Sequence, residues 1–484
     1  MPQQRGTAFG LEFAVELDFV DEVAYDAERT GALIRVRAQG GGRAANADVF
    51  AEIIVMDCSL SMASHGKITA AKRAACAAID ALDDGVYLAV IAGNHGSRVL
   101  FPANGRLARV DAGVRAKARG RVLGLMPDGG TAIGRWLTAA GDLFEAAAPS
   151  GAVCHVALYT DGHDEHETEQ ELRAALDRCA DRFVCDARGL GDDWDFAPLL
   201  SIAEALHGDA RAVVEVSDLA ADFVQLTRSA RRLVVPRAYL GLGLDARFRL
   251  DYIRQLLPVE ADLTQQRQVA GKDPRDLHIP LGAWAADTRD YRLSLTFDAD
   301  TLPVGEVIRA ARVSLLTEAA DGTRTERVAA PFAIKRSEVG APPPPQADNH
   351  TWAENNYFLG EAMLAFATAY LVKQFAEADQ QLARALELAE LLGDAVRLRQ
   401  LREVADFSGG EVHARRGLRG GLISGIALGS KHTTAMSRGA SSLVDGTARE
   451  PEVVRVCPSC GQLTYGEDAE VCEACRTPLA GEAP

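Results

Sequence analysis

Between residues 52 and 230, short apolar runs alternate with stretches whose apolar residues recur at helical spacing. The runs 53–56, 87–92, 153–159, 183–187 and 212–216 are apolar on both faces, as strands are in a sheet covered on both sides. The stretches 67–82, 110–125, 132–147, 169–180, 196–206 and 219–229 read as amphipathic helices. This alternation predicts a doubly wound α/β domain whose ligand site lies at the C-terminal ends of its strands.

On either side of this block the period changes to two. Residues 11–20 (L-E-F-A-V-E-L-D-F-V) and 32–38 read as strands before it, and 247–252, 290–297, 311–316 and 327–334 read as strands after it. The simplest account is one β-sandwich interrupted by the α/β domain; a separate N-terminal hairpin packed elsewhere is the alternative. The run G-A-P-P-P-P-Q at 340–346 is a polyproline spacer and marks a domain boundary.

Beyond the spacer, 352–407 reads as helical, with Tyr370, Phe375, Ala378, Leu382, Ala385 and Leu386 on one apolar stripe. It resembles a single tetratricopeptide-type hairpin, without a repeat period. Residues 408–455 read as a flexible tether rich in Gly, Ser and Thr, made basic by Arg415, Arg416, Arg419, Lys431 and Arg438. Its apolar patch G-L-I-S-G-I-A-L-G is too short to cross a bilayer. A sharper expectation for the tether is a docking or phosphorylation segment at Thr433 or Thr434.

The pattern therefore divides the chain into N-terminal sandwich strands (1–48), the α/β domain (49–232), the rest of the sandwich (233–339), a Pro-rich linker (340–350), a helical hairpin (351–408), a basic linker (409–453) and a small cysteine-bearing module (454–480). A length of 484 residues fits several domains, because one hydrophobic core does not grow to that size. A net charge of −16 argues against a general phosphate-backbone binder, so nucleic acid is not an expected partner. The N-terminus lacks an apolar signal region and no apolar run is long enough to span a bilayer, which predicts a cytoplasmic protein without a membrane partner. Cys58, Cys76, Cys154, Cys179 and Cys185 are scattered through apolar or amphipathic segments, as reduced thiols would be. Heavy use of Ala, Arg and Gly has the look of a GC-rich bacterial genome.

Candidate chemistry begins at V-M-D-C-S-L-S-M, where an apolar run ends in Asp57, Ser59 and Ser61 at alternate positions. Two further pieces accompany it: M-P-D-G-G-T-A-I-G puts Thr131 at the mouth of a helix, and A-L-Y-T-D-G-H puts Asp161 at the end of a strand. Two carboxylates and three hydroxyls make an all-oxygen set suited to a hard cation such as Mg²⁺ or Mn²⁺. They leave at least one position of an octahedron for an outside group, and the metal keeps positive charge that favours an anion. Polar loop ends without metal are the plain alternative.

In these three pieces, in this order, the chain resembles the von Willebrand factor type A domain with its metal-ion-dependent adhesion site. The resemblance covers roughly 52–230. It implies that Ser59 and Ser61 ligate directly, that Asp57 and Asp161 act largely through waters, that Thr131 binds in an open state, and that a partner's Asp or Glu completes the shell. Asp161 is followed by His163, Asp164, Glu165, His166 and Glu167, read as an acidic rim before the helix that Thr168 and Glu171 would cap; a second metal position is the alternative.

The C-terminus carries two C-x-x-C pairs, Cys457 with Cys460 and Cys472 with Cys475, a spacing that can converge on a structural Zn²⁺. The segment resembles zinc-ribbon modules; a disulfide pair or an iron–sulfur site is the alternative. No phosphate-binding glycine loop and no clear general base accompany the oxygen set, so an enzyme is not expected. The expected function is a cytosolic, metal-dependent protein-interaction scaffold. Bacterial proteins of this look often work with Ser/Thr kinases, phosphatases and forkhead-associated modules or in stress responses. The alternatives are an adaptor for a MoxR-like or chelatase-like AAA+ ATPase and, more distantly, a metallohydrolase.

Overall fold

The computed structural model describes residues 5–40, 49–161, 166–342, 348–407, 411–433, 454–456 and 463–465. Four strands come first: β1 (Arg5–Ala8), β2 (Leu11–Asp18), β3 (Glu22–Val23) and β4 (Arg29–Gln39). Alternate residues of β2 (Leu11, Phe13, Val15) and of β4 (Ala32, Ile34, Val36, Ala38) are buried, as expected for strands with one covered face.

The α/β unit runs through β5 (Phe50–Asp57), α1 (Lys67–Ala81), β6 (Tyr87–Gly93), β7 (Ser97–Phe101), β8 (Ala108–Arg109), α2 (Ala112–Leu123), α3 (Ile133–Ala147), β9 (Val153–Thr160), α4 (Glu169–Cys179), β10 (Val184–Leu190), α5 (Phe196–Ala205), β11 (Ala210–Val213) and α6 (Leu219–Ala230). Its sheet has the order β11-β10-β9-β5-β6-β7, with β8 also pairing β6. The strands are parallel except β7 and β8, which run antiparallel to β6. All eight residues of β5 are buried, which is why it reads as an apolar run without alternation. One face packs on α1, α2 and α6 and the other on α3, α4 and α5. Ala70, Ala71, Ala74, Ala75 and Ala78 give α1 a narrow buried face that lets it lie close to the sheet.

After the unit come β12 (Ala238–Leu244), β13 (Phe248–Leu257), β14 (Ala261–Asp262), β15 (Gln268–Val269), β16 (Asp276–Pro280), β17 (Thr288–Phe297), β18 (Val307–Glu318) and β19 (Arg324–Arg336). They complete two six-stranded sheets, β1-β2-β4-β17-β13-β14 and β15-β16-β12-β18-β19-β3. Strands from before and after the α/β unit thus share a sheet, with β4 antiparallel to β17. Phe13, Ile34 and Leu293 of the first sheet join Leu240, Val313 and Phe332 of the second in one core. The G-L-G-L stretch at Gly241 carries little signal in sequence, yet it lies inside β12, between β16 and β18.

Three helices come next, α7 (Asp348–Leu371), α8 (Phe375–Leu392) and α9 (Ala395–Val404). Tyr370, Ala378, Leu382, Ala385 and Leu386 of the sequence-predicted stripe are buried in their shared core. The tether expected over 409–453 is where the structure departs most. Among its described residues, His413–Ala414 pairs with Ala405–Asp406, and Gly420–Gly429 forms a further helix, α10. Ile423, Ile426, Ala427 and Leu428 of α10 are buried, packed on β11, α5, α7 and α9. Arg419 pairs with Asp192 and Glu215, and Lys431 with Glu260, so these basic residues fasten the segment rather than make it mobile.

Thr433 is buried; its hydroxyl accepts a hydrogen bond from Asn356 and its N–H donates to the Pro258 carbonyl. Thr434 and the ribbon cysteines Cys457, Cys460, Cys472 and Cys475 lie outside the described residues. No helix among the described residues is long and apolar enough to cross a membrane. Cys58, Cys76, Cys154, Cys179 and Cys185 are all free thiols.

Candidate functional site

β5 and β9 are neighbours in the middle of the parallel sheet, so their C-terminal ends deliver Asp57 and Asp161 to the same edge. After Asp57 the chain turns into a 3₁₀ segment, Leu60–Gly66, that leads to α1. The Asp57 carboxylate organises this exit. Its Oδ1 accepts the Ser59 N–H at 2.7 Å, and its Oδ2 accepts the Thr160 hydroxyl at 2.7 Å and the Asp161 N–H at 3.4 Å. In front of it Ser59 Oγ lies 2.9 Å from Ser61 Oγ, and Ser61 Oγ donates to Asp161 Oδ1 at 2.7 Å. Four of the five sequence-predicted oxygen donors therefore form one connected group.

The fifth is brought alongside by backbone. Leu60 N–H donates to the Gly129 carbonyl at 2.9 Å and Asp128 N–H to the Cys58 carbonyl at 2.7 Å, which clamps the loop carrying Thr131 to the loop carrying the serines. Gly129 is needed there: its φ is +71° and a Cβ would come within 2.1 Å of His95 Nδ1. Thr131 is buried two residues before α3 begins. Glu167, expected as part of an acidic rim, accepts the Gly134 N–H at 2.6 Å and so serves the N-terminus of α3. Thr168 and Glu171 form the expected capping box on α4. Residues 162–165, which include His163, Asp164 and Glu165, lie outside the described residues.

Asp57, Ser59, Thr131 and Asp161 are buried. Burial pushes the Asp57 carboxyl up to about 6, against the opposing pull of the Ser59 and Thr160 hydrogen bonds. A divalent cation beside it would favour the ionised form. The donor set fits such an ion: Ser61 Oγ lies within hydrogen-bond reach of both Ser59 Oγ and Asp161 Oδ1, a spacing that neighbouring ligands of one small cation can keep, while Asp57 is held back by backbone and Thr160. Among the described residues no three His, Cys, Asp or Glu side chains gather as a metal cluster. Ser59, Ser61 and Asp161 would hold it, with Asp57 behind them and Thr131 at the side. It would supply an electrophilic position for an anionic group.

Two features escape a reading by pattern. Leu60, between Ser59 and Ser61 in the run, is 63% exposed, because the strand ends at Asp57 and the 3₁₀ turn redirects the chain beyond it. Met126, two residues before Asp128 on the loop clamped to this segment, is 73% exposed. The second is Lys67, whose Nζ lies 2.5 Å from Asp161 Oδ2. A lysine directly after Gly66 at the start of a helix is the available signal, since a cation there opposes the helix dipole.

The chain matches the family model for the von Willebrand factor type A domain over residues 52–212. Among solved structures it is similar to von Willebrand factor type A from Catenulispora acidiphila, at 30% identity and a TM-score of 0.81, over 89% of this chain and 98% of that one. It also shares its fold with the ArnB paralog VWA2 from Sulfolobus acidocaldarius, at 12% identity and a TM-score of 0.54, over 87% of this chain and 98% of that one. No curated protein matches it. A connected oxygen site at the C-terminal edge of the sheet, in a chain related along nearly its whole length to a protein of this kind, leads to one conclusion: the chain belongs to the von Willebrand factor type A family.

Proposed function

We propose that this protein is a cytosolic, non-enzymatic interaction scaffold that binds the Asp or Glu carboxylate of a partner protein through Mg²⁺ or Mn²⁺ at Asp57, Ser59, Ser61, Thr131 and Asp161. The observation that supports this reading is the row Ser59–Ser61–Asp161, backed by Asp57, at the strand ends where a parallel sheet places its ligands. A metal held by so few carboxylates keeps charge for an incoming anion. Leu60, exposed between the two serines, favours a partner whose carboxylate is flanked by an apolar side chain. Kinase, phosphatase or forkhead-associated proteins of a bacterial signalling or stress system are the partners proposed.

We read the two six-stranded sheets as one β-sandwich that carries the inserted domain, and the α7–α8 pair as a helical hairpin. Cys457, Cys460, Cys472 and Cys475 are proposed to hold a structural Zn²⁺ in a terminal ribbon.

Two measurements test the metal-bridge assignment. Mn²⁺ titration followed by electron paramagnetic resonance is expected to show one site, weakened at least about 100-fold by Asp161→Ala. In pull-downs from native lysate, partners held with Mg²⁺ should be released by EDTA and absent with Asp57→Ala; the same partners in all three arms would sink the metal-bridge reading. For the ribbon, elemental analysis of purified protein with reduced thiols should find one zinc per chain, and its absence would contradict that site.

A further inference from the structure

We propose that Lys67 is a built-in cation of the adhesion site, which weakens its hold on the divalent ion and strengthens the pull of the bound ion on an incoming carboxylate. This inference rests on the metal-dependent reading above and concerns what sets the charge of that site.

Lys67 stands where an ordinary helix would not place a cation. It is the first residue of α1, at the positive end of the helix dipole, and no acid lies in the first turn to offset it. Lysine is also among the side chains least often buried, yet this one is only 7% exposed. Both costs are offset at one place, the ion pair with Asp161. The two oxygens of Asp161 are thereby divided: Oδ1 faces the serine hydroxyls and Oδ2 faces the ammonium.

The surroundings keep the ammonium there. Gly66, with φ +72°, turns the chain so that Lys67 starts the helix facing the sheet edge. Gly191, with φ +79°, walls in the lysine stem, and a Cβ on it would lie 3.2 Å from Lys67 Cε. That wall is itself fixed, because the Gly191 N–H donates to the Val213 carbonyl and its own carbonyl accepts the Trp194 indole N–H.

Charge then decides the consequence. A divalent ion with Asp57 and Asp161 alone would make a site of zero net charge, in which only the local field of the ion draws an anion. With Lys67 in place the loaded site keeps one positive charge, which a single carboxylate cancels. The ammonium shares Asp161 with the metal and repels it, so metal affinity is lower than the oxygen set alone would give, while the attraction for an anion is higher.

The test is Mn²⁺ titration of the full chain, wild type against Lys67→Met, Lys67→Gln and Lys67→Arg, with acetate then added to the Mn²⁺-loaded protein and followed by water-proton relaxation. The two neutral variants are expected to bind Mn²⁺ at least about tenfold more tightly and acetate more weakly, while Lys67→Arg stays near wild type. A lysine that merely props Asp161 would give weaker Mn²⁺ binding in the neutral variants, which overturns the inference, as does unchanged affinity. Failure of both neutral variants to fold would overturn it as well, by making Lys67 a structural counter-ion. If wild type and every variant bind no Mn²⁺, the adhesion-site reading itself fails; if wild type binds and only the predicted ordering is missing, that reading stands and the role of Lys67 falls.

Discussion

Replacing His155 by leucine is expected to destabilise the protein by about 3–5 kcal/mol, read as a shift of the denaturation midpoint, because it would strand a carboxylate in the middle of a sheet. His155 lies on β9 with no exposed surface, its Nδ1 2.9 Å from Glu52 on β5 and its Nε2 3.1 Å from Asp186 on β10. Glu52 is as deeply buried as its partner. Removing the imidazole leaves that carboxylate without its cation, whereas replacing both with apolar residues of similar size should cost much less. A double variant, His155→Leu with Glu52→Leu, that is as damaged as the single would contradict this account.

The pair also sets a direction for pH. Its two acidic partners raise the His155 pKa to about 10, over the opposing effect of burial, and burial raises that of Glu52. Both shifts mean that the folded protein holds protons the unfolded chain releases. The contribution of His155 is therefore complete below its unfolded value of about 6.5 and is lost as pH rises through about 10. The leucine variant should show a flatter decline across that alkaline window.

The second large effect is expected in the segment whose composition suggests a tether. Ile423→Ala should cost about 2–5 kcal/mol, because Ile423 is fully buried in the core that α10 shares with α7, α8 and α9. The matching readout is limited proteolysis: 411–433 should resist cleavage in the wild type and become cleavable in the variant. An unchanged midpoint together with cleavage in the native protein would mean that the segment is the flexible tether after all.

That segment shows what pattern reading misses. Glycine signals flexibility when counted, but it also permits close approach when placed. A Cβ on Gly420 would come within 2.4 Å of the Asp192 carbonyl, and one on Gly421 within 2.0 Å of the Gly191 carbonyl. These residues let the start of α10 press onto backbone at the sheet edge, and no local period reveals the surface they meet. β5 and β9 are legible for the opposite reason, since two covered faces force an unbroken apolar run. The edge strand β11, expected at 212–216, lies at Ala210–Val213, and the short antiparallel strands β7 and β8 leave no recognisable pattern; all three bury too little for a strong run. At the site, Asp57, Ser59, Ser61, Thr131 and Asp161 can be named because three short motifs carry them at strand and helix ends, in the order in which the von Willebrand factor type A resemblance expects them. Lys67 leaves only the faint mark of a cation at a helix start, since its ion pair spans 94 residues and shows nothing in the spacing.

The pairing of β4 with β17 also has a meaning in time. Arg37 and Thr288 are register partners, and the whole α/β unit lies between them in the chain. At synthesis rates of about 5–20 residues per second, the first strands leave the ribosome roughly 10–50 seconds before their partner exists. During that interval β1, β2 and β4 can pair only among themselves, with their apolar sides uncovered, while the α/β unit has everything it needs to form its sheet. The order of synthesis is thus written into the topology: the part that carries the site can form its sheet before β17 closes the sheet begun by β2 and β4, and α10 reaches β11 and α5 only after that.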